Sequence, residues 1–477
     1  MPECVFRNVK IHVEVSLLLL FFAFLLSDPV QTNLIIFRTC YVTLGYAKDE
    51  CALLGSKNPD NQTANLEKIV EPHAVLINMA STVAESCTSS IACLFLGPWS
   101  DRFGRKPVLI ISTIGYMLYY VFITIFASLE NLSPWYSLIC LFPVHFSGGI
   151  SSYLAVVSCY ISDLTRDNSR GMRMGIAEAA LFMGVFLGTV SSSYLLAATN
   201  YATVFLFSAI CCFLSVAFIA CFVPESLPHP ESEGRFKGLF QLSNLDEMLK
   251  ITFKKRQNYE RCTIICCVLM VIVSVVARNG NSAVIFLFLR EKFHWSLQTY
   301  TLFSAAGSVT SVFGTLIGLY FLHKLMKIPE TVLILVAFIS SLNGALVLGW
   351  AQNNTSVYSV PFIQLLGGMF GPMVRSLVSK IIPNEEVGKI LALVSAAQFF
   401  FGMAGSPIYS AIYNKTISTH SEIFNFVTAG FYVFEILITI CIIYVRTVYV
   451  TTSVTYTRII NEESENCGTV TTDEMVA

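Results

Sequence analysis

Twelve stretches of this chain are apolar over about 20 residues or more, the length a helix needs to cross a bilayer. They fall at roughly 12–36, 74–97, 106–128, 136–162, 172–197, 201–223, 262–289, 297–323, 329–351, 358–382, 389–413 and 421–445. In hydrocarbon a backbone has no water to bond to, so each run must satisfy its own hydrogen bonds as a helix. An all-α membrane protein follows. Of the 477 residues 55% are apolar and 13% charged, too little polar surface to cover a soluble globule of that size. The net charge of -1 offers no basic face for phosphates, so no nucleic-acid partner is expected.

The first run follows Arg7 and Lys10, a basic start that imitates a secretory signal peptide. It continues past Pro29 through NLIIF, too long for a signal core, and reads as a first span. Between the second and third runs stands GPWSDRFGRKP, Gly97–Pro107. Asp101, Arg102, Arg105 and Lys106 cannot lie in hydrocarbon, so a very short turn must join two separate spans there. Three of the four charges are basic, which puts the turn on the cytoplasmic side, and Gly97 and Gly104 are expected to permit its tight backbone. With this topology 21 of the 30 Lys and Arg residues fall inside, 7 outside and 2 within spans. The sequons at Asn61, Asn131, Asn353, Asn354 and Asn414 all fall on outer loops, though Pro134 follows the one at Asn131. Asn61, Asn353, Asn354 and Asn414 are therefore the expected glycosylation sites.

Residues 224–260 are rich in proline and charge and read as a cytoplasmic linker. They divide an N-terminal six-helix bundle, 1–223, from a C-terminal one, 261–446, followed by a polar cytoplasmic tail, 447–477. The halves look like copies. SGG at Ser147–Gly149 precedes GMRMGIAEAALFMGVFLG from Gly171, and LGG at Leu366–Gly368 precedes GKILALVSAAQFFFGMAG from Gly388. Ala179 then aligns with Ala396, Phe182 with Phe399 and Gly188 with Gly405, although small residues recur in any tightly packed membrane helices. The expected fold is twelve transmembrane helices in two pseudo-symmetric six-helix bundles, with a substrate site between them near the midplane. The Gly97–Pro107 knot resembles the loop between helices 2 and 3 that marks the major facilitator superfamily.

Of fifteen cysteines most sit inside spans, where cysteine behaves as a small apolar residue. Cys40 and Cys51 lie in the first outer loop with ten residues between them, and a disulfide between them is expected. No His/Cys set has metal-ligand spacing, and no nucleophile or nucleotide loop appears at workable spacing. Neither a metal, nor a cofactor, nor an enzyme activity is expected.

Ionisable groups at bilayer depth are costly and mark transport paths. They are Glu85, Glu178, Arg278, Arg375 and Glu435, with His145 as a weaker candidate. Glu178, two turns inside the fifth run, is the first choice for a proton site, since burial brings a carboxyl within reach of a modest acid gradient. Its counterpart in the second half is Ser395; the competing reading is a fixed salt bridge with Arg173 or a neighbouring helix. Glu85 reads either as a second proton carrier or as an arginine's partner. Arg375 and Arg278 offer planar, bidentate recognition of a carboxylate or phosphate, with a structural role equally open for Arg278. Glu435, flanked by Phe431 and Phe434, reads as structural. Asp101 and Arg105, with Asp163, Arg166 and Arg170 on the same face, are expected to form a gate that bridges the halves in one conformation and releases in the other.

FGPMVRSLVSKIIPNEEVGKI, Phe370–Ile390, and ISDLTRDNSRGMRMGIAE, Ile161–Glu178, resemble the proton-coupled folate transporter family of solute carriers. The resemblance implies that Glu178 couples proton flow to transport and that Arg375 contributes to proton and substrate binding. Three departures mark a divergent relative: Arg278 stands where the family has a helix 7 histidine, Gly149 near a helix 4 aspartate, and His294 where an outer cysteine is expected. Other members of the family carry organic anions that include cyclic dinucleotides and muramyl peptides, some across lysosomal or endosomal membranes.

The expected function is a secondary active transporter that symports protons with a small organic anion by alternating access. VPES at Val223–Ser226 also looks like a sugar-transporter signature, which keeps a facilitative or sugar-type porter as the alternative. A transport-dead receptor or scaffold on the same bundle is the alternative from another class. The plasma membrane is the expected location, and Tyr456-Thr-Arg-Ile459 has the form of an endocytic signal that would direct the chain to endosomal or lysosomal membranes.

Overall fold

The computed structural model describes residues 13–54, 61–165, 167–227, 250, 260–293, 295, 297–416 and 420–470. Most of the expected linker, 228–249 and 251–259, lies outside the described residues, as do Arg166 and His294. The twelve crossings are α1 (Glu14–Arg38), α2 (Asn61–Phe103), α3 (Arg105–Ser128), α4 (Pro134–Leu164), α5 (Asp167–Ala198) and α6 (Tyr201–Phe222) in the first half. The second half has α7 (Glu260–Phe293), α8 (Leu297–Gly318), α9 (Glu330–Trp350), α10 (Asn354–Ile381), α11 (Asn384–Gly402, resumed at Gly405–Thr416) and α12 (Ile423–Val470). Among the described residues there is no strand. Exposed Phe207, Phe213, Leu437 and Ile440 belong to a lipid-facing surface, the place for large apolar side chains in such a fold.

Two boundaries depart from the sequence reading. The first outer loop, which the runs at roughly 12–36 and 74–97 leave between them, ends at Asn61, where α2 begins. At the other end α12 continues past 446 as helix to Val470, taking in the backbone of Tyr456–Ile459.

The Gly97–Pro107 knot is tighter than expected: α2 continues to Phe103, Gly104 alone is non-helical, and α3 starts at Arg105. Gly104 has φ +112°, a conformation open to glycine. Glu225, from the VPES segment, closes the turn: its carboxylate accepts the backbone N–H of Arg105 at 2.8 Å and of Lys106 at 3.1 Å. Two of the orphan donors at the start of α3 are thereby satisfied by an anion at the positive end of the helix dipole. Gly97 has a different role from the one expected. It lies inside α2, and a Cβ there would stand 2.2 Å from the Ala392 Cβ, so its smallness lets α2 approach α11.

The repeated glycine pairs fall at matching breaks. α4 is interrupted at Gly148 and Gly149, both with positive φ, and α10 at a 3-10 turn, Gly367–Met369. Close crossings within each half use glycine in the same manner. A Cβ on Gly184 or Gly188 of α5 would come within 2.6 Å of a carbonyl of α1, and one on Gly314 of α8 within 1.9 Å of a carbonyl of α10. Polar threads tie the first half together, with Ser16 bonded to Tyr153 at 2.5 Å and Ser27 to Ser208 at 2.5 Å. Buried Arg38, at the end of α1, donates to the carbonyls of Phe126 at 2.7 Å and Ala127 at 3.1 Å, a cation on the negative end of α3. On the outer side Cys40 and Cys51 form a disulfide with their Cα atoms 5.8 Å apart. Nearby, a hydrogen bond from Lys48 at 2.6 Å holds the Glu130 carboxyl below its ordinary pKa and lifts that of the ammonium.

Candidate functional site

The halves meet at the ends the topology assigns to the cytoplasm, where α2 and α4 pack on α11, and α5 on α8 and α10. Cys93 Sγ donates to the Ala392 carbonyl at 3.4 Å. A Cβ on Gly388, in the first turns of α11, would lie 1.8 Å from Asp101 Oδ1. Arg170 of α5 donates to the Ser379 carbonyl of α10 at 2.9 Å. The two halves are thus closed on each other at these ends.

Of the residues expected to gate, Arg170 does bridge the halves. Arg105 does not. Fully buried, it bonds Ser100 Oγ at 2.7 Å and Asp163 at 3.1 Å and pairs with Asp101, all within the first half. Asp163 also accepts from Ser226 at 2.9 Å. The expected cross-half lock at Arg105 is therefore an intra-half cluster that fixes the turn, while Asp101 presents its carboxylate to the α11 backbone at Gly388.

Above the closure lies a cavity of about 440 Å³. It is not shared equally between the halves: α5 contributes Glu178 and Phe182, and most of the remaining wall comes from α7, α8 and α10. Glu178 and Arg375 meet there, Nη1 of the guanidinium donating to Oε2 at 2.7 Å. Both side chains keep about one-sixth of their surface open, at 16% and 17%. Gly371 leaves the pair uncovered, since even a Cβ at that position would remain 3.5 Å from Glu178 Oε1. Arg173 is not the partner of Glu178; it pairs with buried Glu14 of α1 at 3.0 Å.

Arg278 of α7 lines the same cavity, is exposed in it, and makes no ion pair among the described residues. Hydroxyl and amide groups complete the wall, among them Asn281, Gln364 and Gln398, and the α10 break contributes Gly367 and Gly368. A carboxylate, two guanidiniums and a polar wall suit a hydrated solute that carries negative charge. Glu85 is elsewhere, within the first half, accepting from the buried Tyr116 hydroxyl at 2.8 Å, and His145 bonds Thr88 at 2.6 Å. Of the expected glycosylation sites, Asn353 caps α10 through its side-chain oxygen, the oxygen of Asn354 accepts from Trp295 at 2.8 Å, and Asn414 is exposed in the last turn of α11. The backbone of Asn61 starts α2.

A profile of the Major Facilitator Superfamily matches residues 70–462. The chain belongs to that superfamily. Its transporter relatives include the probable peptidoglycan muropeptide transporter SLC46 of Drosophila melanogaster, 29% identical over 427 residues that cover 87% of this chain and 82% of that one. The proton-coupled folate transporter of Rattus norvegicus is 22% identical, covering 85% of this chain and 86% of its own length. The lysosomal proton-coupled steroid conjugate and bile acid symporter SLC46A3 of Gallus gallus is 21% identical, covering 86% and 89%. The crystal structure of the human organic anion transporter MFSD10 superposes with a TM-score of 0.69 at 15% identity, over 90% of this chain and 97% of that one. This superfamily member is a multi-pass membrane transporter.

Two contacts escaped the sequence reading. Glu225 caps α3, a role hinted at only by its place beside a short charged turn. Glu435, expected to be structural, is fully buried and accepts a hydrogen bond from Ser274, a residue that lines the cavity.

Proposed function

We propose that the protein symports protons with a small organic anion by alternating access, and that Glu178 and Arg375 couple the two loads. The observation that carries this reading is their 2.7 Å ion pair between the halves, in the wall of the cavity. A proton on Glu178 cancels the charge that holds Arg375, and the freed guanidinium then takes an acidic group of the substrate. Arg278 supplies a second cation for it. With the charges satisfied the halves are able to rock, opening the contacts at Gly97, Gly388 and Arg170.

A muropeptide fits the wall well, because its sugar hydroxyls match Asn281, Gln364 and Gln398 and its carboxylates match the arginines. The muropeptide transporter relative supports that choice. Uptake of labelled muramyl dipeptide by the purified protein in vesicles tests it, with a folate and a cyclic dinucleotide alongside. Saturable uptake that unlabelled muropeptide suppresses is expected; its absence for every acidic solute, with uptake of a neutral sugar instead, would establish the sugar-porter reading.

A further inference from the structure

Glu435 is 0% exposed and makes no ion pair among the described residues. Its Oε1 accepts a hydrogen bond from Ser274 Oγ at 2.5 Å, while Oε2 is buried and has no hydrogen-bond partner among the described residues. On its other side Ser274 lines the cavity, one helical turn before Arg278. A single hydroxyl therefore separates a sealed carboxyl from the transport path. An ionised Glu435 in this position would be a buried anion with one hydrogen bond, an arrangement that membrane proteins keep where charge is exchanged.

The groups facing Glu435 come from every helix packed on α12. α7 provides Ser274, α11 provides Tyr409, and α12 itself provides Tyr432. α9 runs alongside but holds one titratable residue, Glu330, which pairs with Lys380 at the cytoplasmic end. Tyr432 lies near both Glu435 and Arg278. No residue in this set is a fixed counter-ion in contact with the carboxylate.

We propose that Glu435 is a second proton-binding carboxyl of the transport cycle, loaded and unloaded from the cavity through the Ser274 hydroxyl. In the loading step a cavity hydronium gives its proton to Ser274 Oγ, and the hydroxyl's own hydrogen passes to Glu435 Oε1. One O–H bond forms and one breaks at serine, and the carboxylate becomes the acid. Unloading reverses both transfers.

The role rests on the proton-coupled reading of the chain, and its test leaves transport aside. Infrared difference spectra are recorded on the purified full-length protein in phosphatidylcholine vesicles, without substrate, as the buffer is taken from acid to alkaline. Wild type and Glu178→Gln are expected to lose a protonated-carboxyl C=O band that is absent from Glu435→Gln. In Ser274→Ala the same band is expected at a shifted frequency, reporting the missing hydrogen bond, and with slower loss. Titrating carboxyl bands in Glu435→Gln identical to those of wild type would overturn the proposal, as would a Glu435 band unchanged at every pH. If Glu435→Gln fails to reconstitute, Ser274→Ala decides: a titrating band shifted from wild type supports the proposal, and an unshifted one overturns it. Failure of the Glu178 mechanism alone would remove its own band from the titration and leave this one in place.

Discussion

Arg375 reaches across the interface between the halves to place Nη1 2.7 Å from Glu178 Oε2, although Arg173 stands much closer to Glu178 in the chain. Glu14 of α1 has claimed Arg173 at 3.0 Å, so among the described residues Glu178 forms its ion pair with the opposite half. That pairing makes the state of one carboxyl a property of the interface and not of one bundle.

Removing one partner leaves the other uncompensated. For a fully buried pair this costs about 3–5 kcal/mol, and the partial exposure here brings the expectation for Arg375→Ala to roughly 2 kcal/mol. Adding Glu178→Gln is expected to restore about half of the loss, so thermal unfolding in detergent should show strongly non-additive effects. Arg375→Lys keeps the charge without the planar fork, and is expected to recover stability more fully than uptake.

The cytoplasmic closure depends on bare backbone at Gly97 and Gly388. Gly97→Leu drives a side chain into Ala392, and overpacking of this kind costs about 1–3 kcal/mol in the closed form alone. The balance therefore moves toward the inward-facing state. A cysteine at Ser308, in the cavity wall, is expected to react with an impermeant outer thiol reagent about tenfold more slowly in that background, equivalent to about 1.4 kcal/mol.

Much of this architecture was legible in the sequence because bilayer physics is strict. Twelve apolar runs determine the count of the spans, and the structure has twelve helices of the matching length and composition. Glu178, Arg278 and Arg375 were legible for a related reason: charge at bilayer depth is expensive, and these three do line one cavity. What periodicity could not convey was which charges meet. Arg105 and Asp101 looked like a lock between halves because both lie on the right face, yet Asp163 and Ser100 lie nearer. Glu435 looked structural because its neighbours are aromatic; its link to Ser274 depends on how α12 is turned against α7.

Glu225 is predicted to matter for folding more than for transport. Glu225→Ala strips the acceptor from two N–H groups at the start of α3, with an expected loss of about 1–2 kcal/mol. Thermal unfolding of the purified variant measures it, and Glu225→Gln should recover part by retaining an acceptor.

The Cys40–Cys51 bridge closes a short loop, for which chain entropy suggests about 2–3 kcal/mol of stabilisation. Reductant, or Cys40→Ser with Cys51→Ser, is expected to lower the unfolding temperature without changing the affinity for substrate. Equilibrium binding before and after reduction checks both halves of that statement.

The most direct test of proton coupling at Glu178 is the gradient dependence of uptake in vesicles. With labelled muramyl dipeptide outside, wild type is expected to take it up faster when the outside is acid than when pH is equal on both sides. Glu178→Gln should lose most of that stimulation while still exchanging labelled for unlabelled substrate. Stimulation in Glu178→Gln equal to that of wild type would contradict the account.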